Sequence, residues 1–162
     1  LKIPVIMDMN DRGTMDIERF DLEPDRPLLH GYIGHLDSSK LKTIETNYGI
    51  ETGAAAFNLL MSEPPAPTVV FCGNDVLAAG ALLEAKKLGL NVPKDVSITG
   101  FDDIEVASLV TPQLTTVGVP QNEMGIKAAQ IIVGMANNKR TPQTTELKVE
   151  VIIRASLGPP AS

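Results

Sequence analysis

Residues 67–120 read PTVVFCGNDVLAAGALLEAKKLGLNVPKDVSITGFDDIEVASLVTPQLTTVGVP. Pro64, Pro65 and Pro67 force an extended approach to the apolar run Thr68–Cys72, which predicts a strand covered on both faces. The polar turn Gly73-Asn74-Asp75 leads into a helix over Val76–Leu88. Asp75 is its expected N-cap, Val76, Ala79, Gly80 and Leu83 mark one face, and Gly89 is the expected C′ residue. Pro93-Lys94-Asp95 reaches a second strand, Val96–Gly100, which runs into the acidic turn Phe101-Asp102-Asp103, and Leu114–Val119 is a third. This alternation predicts an α/β domain with a mostly parallel open sheet, right-handed crossovers and helices on both faces. Ligands of such sheets bind outside the carboxyl ends of the strands, where Asn74-Asp75 and Asp102-Asp103 stand.

Outward from this stretch the signals are shorter. Residues 3–9 (IPVIMDM) predict a buried strand, whereas residues 11–27 are charged, broken by proline and read as loop. Residues 41–48 (LKTIETNY) predict a strand ending at Tyr48, followed by a turn over residues 49–53 and a helix over Ala54–Met61. Pro120 opens a helix over Gln121–Ala136 with Met124, Ala128, Ile131 and Met135 at helical spacing. In Glu146–Arg154, Leu147, Val149, Val151 and Ile153 alternate with Lys148, Glu150 and Arg154, which predicts a half-exposed strand near an edge. The expected organisation is residues 1–40 as a remnant of a second lobe, 41–157 as the main lobe and 158–162 as a disordered tail.

Composition narrows the function. With 162 residues and 43% apolar content the chain is long enough for one globular core. A formal net charge of -6 argues against a free-standing nucleic-acid binder, which normally carries a basic face. The single cysteine, Cys72, lies in an apolar run and reads as a small core residue without an internal disulfide partner. No apolar run reaches the length of a membrane span, the start does not read as a signal peptide, and a cytoplasmic location is expected.

Candidate chemistry concentrates in the acids. Asp8, Asp11, Asp75, Asp102 and Asp103 follow predicted strands, where carboxylates accept hydrogen bonds from ligand hydroxyls or N–H groups, or hold Mg²⁺. The same residues also serve as helix caps. Asn74 offers a donor and an acceptor in one fork, and Tyr48 offers a ring face with a free hydroxyl. His30 and His35 are five apart, without a third ligand, so no metal site is expected. No GxSxG, GxGxxG or P-loop pattern occurs, and no cofactor is implied.

The run from Phe71-Cys72-Gly73-Asn74-Asp75 to Val119-Pro120 resembles the effector-binding domain of the LacI/GalR family of bacterial transcription regulators. Residues 41–157 carry the resemblance, with NYGIETGAAAFNLL before the ND motif and ELKVEVIIRAS as a closing strand. It implies a periplasmic-binding-protein type I fold and a small metabolite, a sugar or nucleobase, held between two lobes. Lobe closure would then signal to a homodimer and to a DNA-binding headpiece that this chain lacks, so the function implied is sensing, not catalysis. The implied effector contacts are Asn74, Asp102 and Tyr48, with Arg26 ahead of Gly31-Tyr32; Leu28 stands where a second arginine is usual. Asp75 and Asp103 would be scaffold. Residues 118–137 would cross back toward the other lobe, of which the first strand is a remnant. Two alternatives remain: a sugar-binding protein of a transport or chemotaxis system, and a Mg²⁺-dependent phosphoryl-transfer domain using Asp8, Asp11 and Asp102.

Overall fold

The structure, a computed structural model, describes residues 4–9, 42–142 and 144–159. Four parallel strands form the main sheet: β1 (Pro4–Met9), β2 (Lys42–Thr46), β3 (Val69–Cys72) and β4 (Ser97–Thr99), in the spatial order β2-β1-β3-β4. A second, antiparallel pair joins β5 (Thr116–Gly118) to β6 (Glu150–Ile152). The helices are α1 (Ile50–Ser62), α2 (Asp75–Lys87), the single turn α3 (Val106–Leu109) and α4 (Gln121–Ala136). The parallel α/β reading of the sequence holds.

β1 departs from expectation. Residues 3–9 read as a remnant of a second lobe, yet β1 pairs with β2 on one side and β3 on the other, with Val5 opposite both Lys42 and Val70. Its backbone completes the main sheet, because β2 and β3 have no ladder between them without it.

One apolar cluster forms the core: Phe57 and Leu60 of α1, Leu77, Ala78, Ala81, Leu82 and Ala85 of α2, Val70 and Cys72 of β3, with Val96, Ile98, Ala107 and Leu114. On β3, Val70 and Cys72 are buried while Val69 and Phe71 are half-buried, so burial alternates instead of covering both faces equally. Burial pushes the Cys72 thiol up, as the core reading of this residue requires. On α2 the buried face is centred on Leu77, Ala78 and Ala81, and Leu83, expected inside, lies in solvent.

The two long helices pack backbone to backbone. A Cβ on Gly80 would fall on the carbonyl oxygen of Ile50 and lie 2.8 Å from the Ala54 nitrogen. A Cβ on Gly53 would strike the Leu77 carbonyl and sit 2.8 Å from its Cα. This contact also explains why the helix expected to begin at Ala54 begins at Ile50. Gly53 lowers local helix propensity, but packing against α2 outweighs that cost. At its other end α2 stops as expected, with Gly89 at φ 72, Leu90 N–H donating to Ala85 O and Gly89 N–H to Lys86 O, a Schellman closure.

Helix α4 has the predicted length, but none of its described side chains is fully buried; Met124, Ile126, Ile132, Val133 and Met135 are exposed. On the closing strand the parity is opposite to expectation: Val149, Val151 and Ile153 are exposed, while Arg154 is half-buried and Ser156 buried. The physical reason lies in the backbone. Ser156 Oγ donates to Ile98 O (2.5 Å) and accepts from Thr115 N–H (2.8 Å), and Thr115 Oγ1 accepts from Arg154 N–H (2.8 Å). These bonds join β4 to the start of β5, and leaving such groups buried without partners costs about 1–3 kcal/mol each. That outweighs half-burying a valine.

We expect Gly80→Ala to separate α1 from α2 and to destabilise the domain by about 3 kcal/mol or more. Gly125→Ala, on the open face of α4 with no atom near its Cβ position, should instead stabilise by about 0.5–1 kcal/mol. Urea unfolding midpoints of the two variants check both signs.

Candidate functional site

Because β2, β1, β3 and β4 run parallel, their C-terminal ends share one edge of the sheet. Tyr48 follows β2, Asn74 follows β3 and Asp102 follows β4. At about 4.8 Å between neighbouring strands, β2 and β4 are roughly 14 Å apart along that edge. The fold therefore gathers three of the four sequence-predicted contacts along one rim; Arg26 lies outside the described residues, as do Asp11, His30 and His35.

Asn74 takes the N-cap role expected of Asp75. Asn74 is the N-cap of α2: its backbone is extended and its Oδ1 accepts from Leu77 N–H at 2.9 Å. At 1% exposure it is almost wholly buried. Asp75 is the first helical residue, not the cap, and its carboxylate reaches away from the helix. Its Oδ1 accepts from Thr116 Oγ1 (2.5 Å) on β5 and its Oδ2 from Ile104 N–H (2.9 Å) in the acidic turn. Burial raises the Asp75 carboxyl above the ordinary carboxylate range; the hydrogen bonds from Thr116 and Ile104 oppose the rise, and Asp102 and Asp103 add to it. Gly100 is required beside this carboxylate, since a Cβ there would collide with Asp75 Oδ1 and approach Leu114 to 2.8 Å.

The turn Gly100–Ile104 presents the second carboxylate. Asp102 and Asp103 have φ of 104 and 54, a region that costs non-glycine residues of order 1–3 kcal/mol each and persists only where surroundings enforce it. Here they do. Asp102 N–H donates to Val117 O (2.9 Å), Asp75 holds Ile104, and Asp103 Oδ1 accepts from Arg154 Nη2 at 2.7 Å. Arg154 Nη1 also donates to Leu114 O (2.9 Å). The Asp102 carboxylate has no hydrogen-bond partner among the described residues, and partial burial raises its pKa. It borders a concave surface of about 590 Å³, with Asp102 to Glu105 on one wall and Val119 to Glu123 on the other.

Sequence reasoning missed Thr116, Gly100 and Arg154. The signal for Arg154 was present, since it has the same strand parity as Ile152 and Ser156, but apolar alternation pointed the other way. Asp8 lies on β1 in register with Glu45. Among the described residues no three His, Cys, Asp or Glu side chains group as metal ligands. None of the described helices is long and apolar enough to cross a membrane.

With this geometry in place, comparison with known proteins is decisive for the family. Residues 18–157 match the periplasmic binding protein-like domain. The chain belongs to that family. Its relatives put it with the effector-binding domains of LacI-type regulators, as the ND and GFDD motifs imply. The Escherichia coli transcriptional repressor PurR is 36% identical over 135 residues, 80% of this chain and 40% of the repressor. A LacI family regulator from Bifidobacterium animalis superposes with a TM-score of 0.81 at 25% identity, over 99% of this chain and 56% of that one. A LacI family regulator from an Arthrobacter species, solved in complex with lactose, matches at 0.72 and 25% identity, over 96% and 57%. The chain thus spans well under two thirds of the relatives it matches. Those relatives are described as regulators, not as enzymes or transport proteins.

The raised Asp75 carboxyl sets a pH dependence whose sign is opposite to that of a salt-bridged acid. Above the ordinary value of 3.8 the unfolded chain has released this proton while the folded protein retains it, so this group's contribution to stability falls as pH rises through that window. The slope is at most about 1.4 kcal/mol per pH unit. We expect wild type to lose stability relative to Asp75→Asn as pH increases from 4 upward, read from urea midpoints; a constant difference would contradict the assignment.

Proposed function

We infer that this chain is the effector-sensing part of a LacI/GalR-type transcription regulator and that a small polar metabolite, a sugar or a nucleobase, binds at the C-terminal rim of the parallel sheet. One observation carries the reading: the Asp102 carboxylate, held on strained backbone beside a concave surface, has no partner among the described residues. A partly buried carboxylate without a donor is costly unless a ligand supplies one, and vicinal hydroxyls or ring N–H groups are suitable donors. The lactose complex of the Arthrobacter relative supports a sugar, and a nucleobase stays in the proposal because its ring N–H groups suit the same carboxylate.

In this reading Asp102 is the principal contact. Tyr48, 61% exposed, offers its ring to the ligand face. Asn74 contributes less, because its Oδ1 is already committed to the α2 cap. Arg26 is the fourth proposed contact. The whole regulator would act in the cytoplasm as a homodimer, bind DNA through a headpiece outside this chain, and change its DNA affinity when the effector closes the lobes. Neither catalysis nor a cofactor enters the proposal.

Calorimetric titration with ribose, lactose, hypoxanthine and guanine tests it. At least one should bind, and Asp102→Ala should weaken that binding by about 10- to 100-fold, the range for a hydrogen bond to a charged group. Unchanged affinity in Asp102→Ala removes the site.

A further inference from the structure

The acidic turn is held from two directions, by the start of α2 and by the region of β5 and β6. Asp75, at the start of α2, bonds Ile104 N–H on the far side of the turn. The other anchor is Arg154, two residues beyond β6. Its guanidinium bridges Leu114 O at the entrance to β5 and Asp103 Oδ1 in the turn, at 2.9 and 2.7 Å. Its backbone is fixed in turn, with N–H donating to Thr115 Oγ1 and C=O accepting from the same hydroxyl. Both partners of the ion pair are largely shielded, at 19% and 28% side-chain exposure, so water screens it less than a surface pair.

Asp103 has positive φ and so does Asp102 beside it. In such a turn neither residue can change its backbone alone, because their peptide is shared and Asp102 N–H is pinned to Val117 O on β5. Val117 lies on β5, where it pairs with Val151 of β6, and Arg154 follows β6 by two residues. The β5–β6 region therefore grips the turn at two consecutive residues, one through the backbone and one through the ion pair.

We propose that Arg154 is a positioning residue for the effector contact: through Asp103 it holds Asp102 in its binding orientation and couples the antiparallel β5–β6 pair to effector occupancy. This rests on the reading that Asp102 meets the effector. The coupling is reciprocal. Occupancy of Asp102 tightens the Asp103–Arg154 pair, and displacement of the β5–β6 pair, whose β5 leads into α4, loosens the effector site.

The test has one arm that needs no ligand. Amide hydrogen exchange, resolved by NMR, is measured at Asp102, Asp103 and Ile104 in wild type, Arg154→Met, Arg154→Lys, Asp103→Asn and the Arg154→Met/Asp103→Asn double variant. Arg154→Met should accelerate exchange at Asp102 at least tenfold, Arg154→Lys should recover part of it, and the double variant should match the single ones instead of adding to them. Asp103→Asn reads the same pair from its other end and keeps the bond from Arg154 to Leu114, so the test survives if Arg154→Met fails to fold. The second arm repeats the titrations with ribose, lactose, hypoxanthine and guanine, where Arg154→Met should lose about tenfold in affinity for whichever binds. Unchanged exchange at Asp102, or additive effects of the two single variants, overturns the proposal. Accelerated exchange with no effect of Asp102→Ala on binding leaves the coupling of the β5–β6 pair to the turn in place and removes the effector reading instead.

Discussion

A single buried carboxylate joins the parts of this domain that the chain brings together from a distance. Asp75 begins α2, yet its two oxygens satisfy a hydroxyl on β5 and an amide in the turn after β4. Three segments separated by up to 41 residues meet on that side chain. Burying it is unfavourable for the ionised form, and the arrangement persists because the donors it accepts would otherwise be orphaned in the same interior. Gly100 belongs to this constraint: no other residue leaves room for the carboxylate. With α2, β4 and β5 tied at one point, the rim after β4 has little freedom, and the unusual backbone of Asp102 and Asp103 follows from that restriction.

The second constraint is the approach of α1 to α2. Gly53 and Gly80 each face the partner's backbone, which brings the helices closer than any side chain permits and seats Phe57, Leu60, Leu77 and Ala81 in one core. Helix α2 then enters the site with its N-terminus fixed by Asn74, so the cap and the rim residue are one side chain. Scaffold and site are not separable here. A residue that could touch a ligand is also the one that starts the helix.

Much of this was legible in the chain. The strands at Thr68–Cys72, Val96–Gly100 and Leu114–Val119 were visible as short apolar runs between turn signals, and Gly89 marked the end of α2 because only a residue tolerant of positive φ closes the helix that way. The placement of the rim residues was legible too, since parallel strands put their C-terminal polar residues on one edge whatever else the fold does. The cap assignment failed because Asn74 and Asp75 are both good caps, and the choice between them depends on β5, far along the chain. The closing strand was misread for a related reason. Alternation of Val149, Val151 and Ile153 reports hydrophobicity, whereas the side that faces inward was chosen by the hydrogen bonds that Ser156 and Arg154 make with Ile98 on β4 and with Leu114 and Thr115 just before β5.

By itself, then, the sequence determined the α/β class, the parallel order of local units, the family, and the candidate contacts Asn74 and Asp102, because each depends on short-range pattern or on a motif contiguous in the chain. Tertiary structure alone decided that β1 sits between β2 and β3, that Asp75 bonds Thr116 and Ile104 instead of capping α2, and that Arg154 turns inward to Asp103. Those outcomes depend on which distant backbone groups lack partners, and no local window of sequence contains that information.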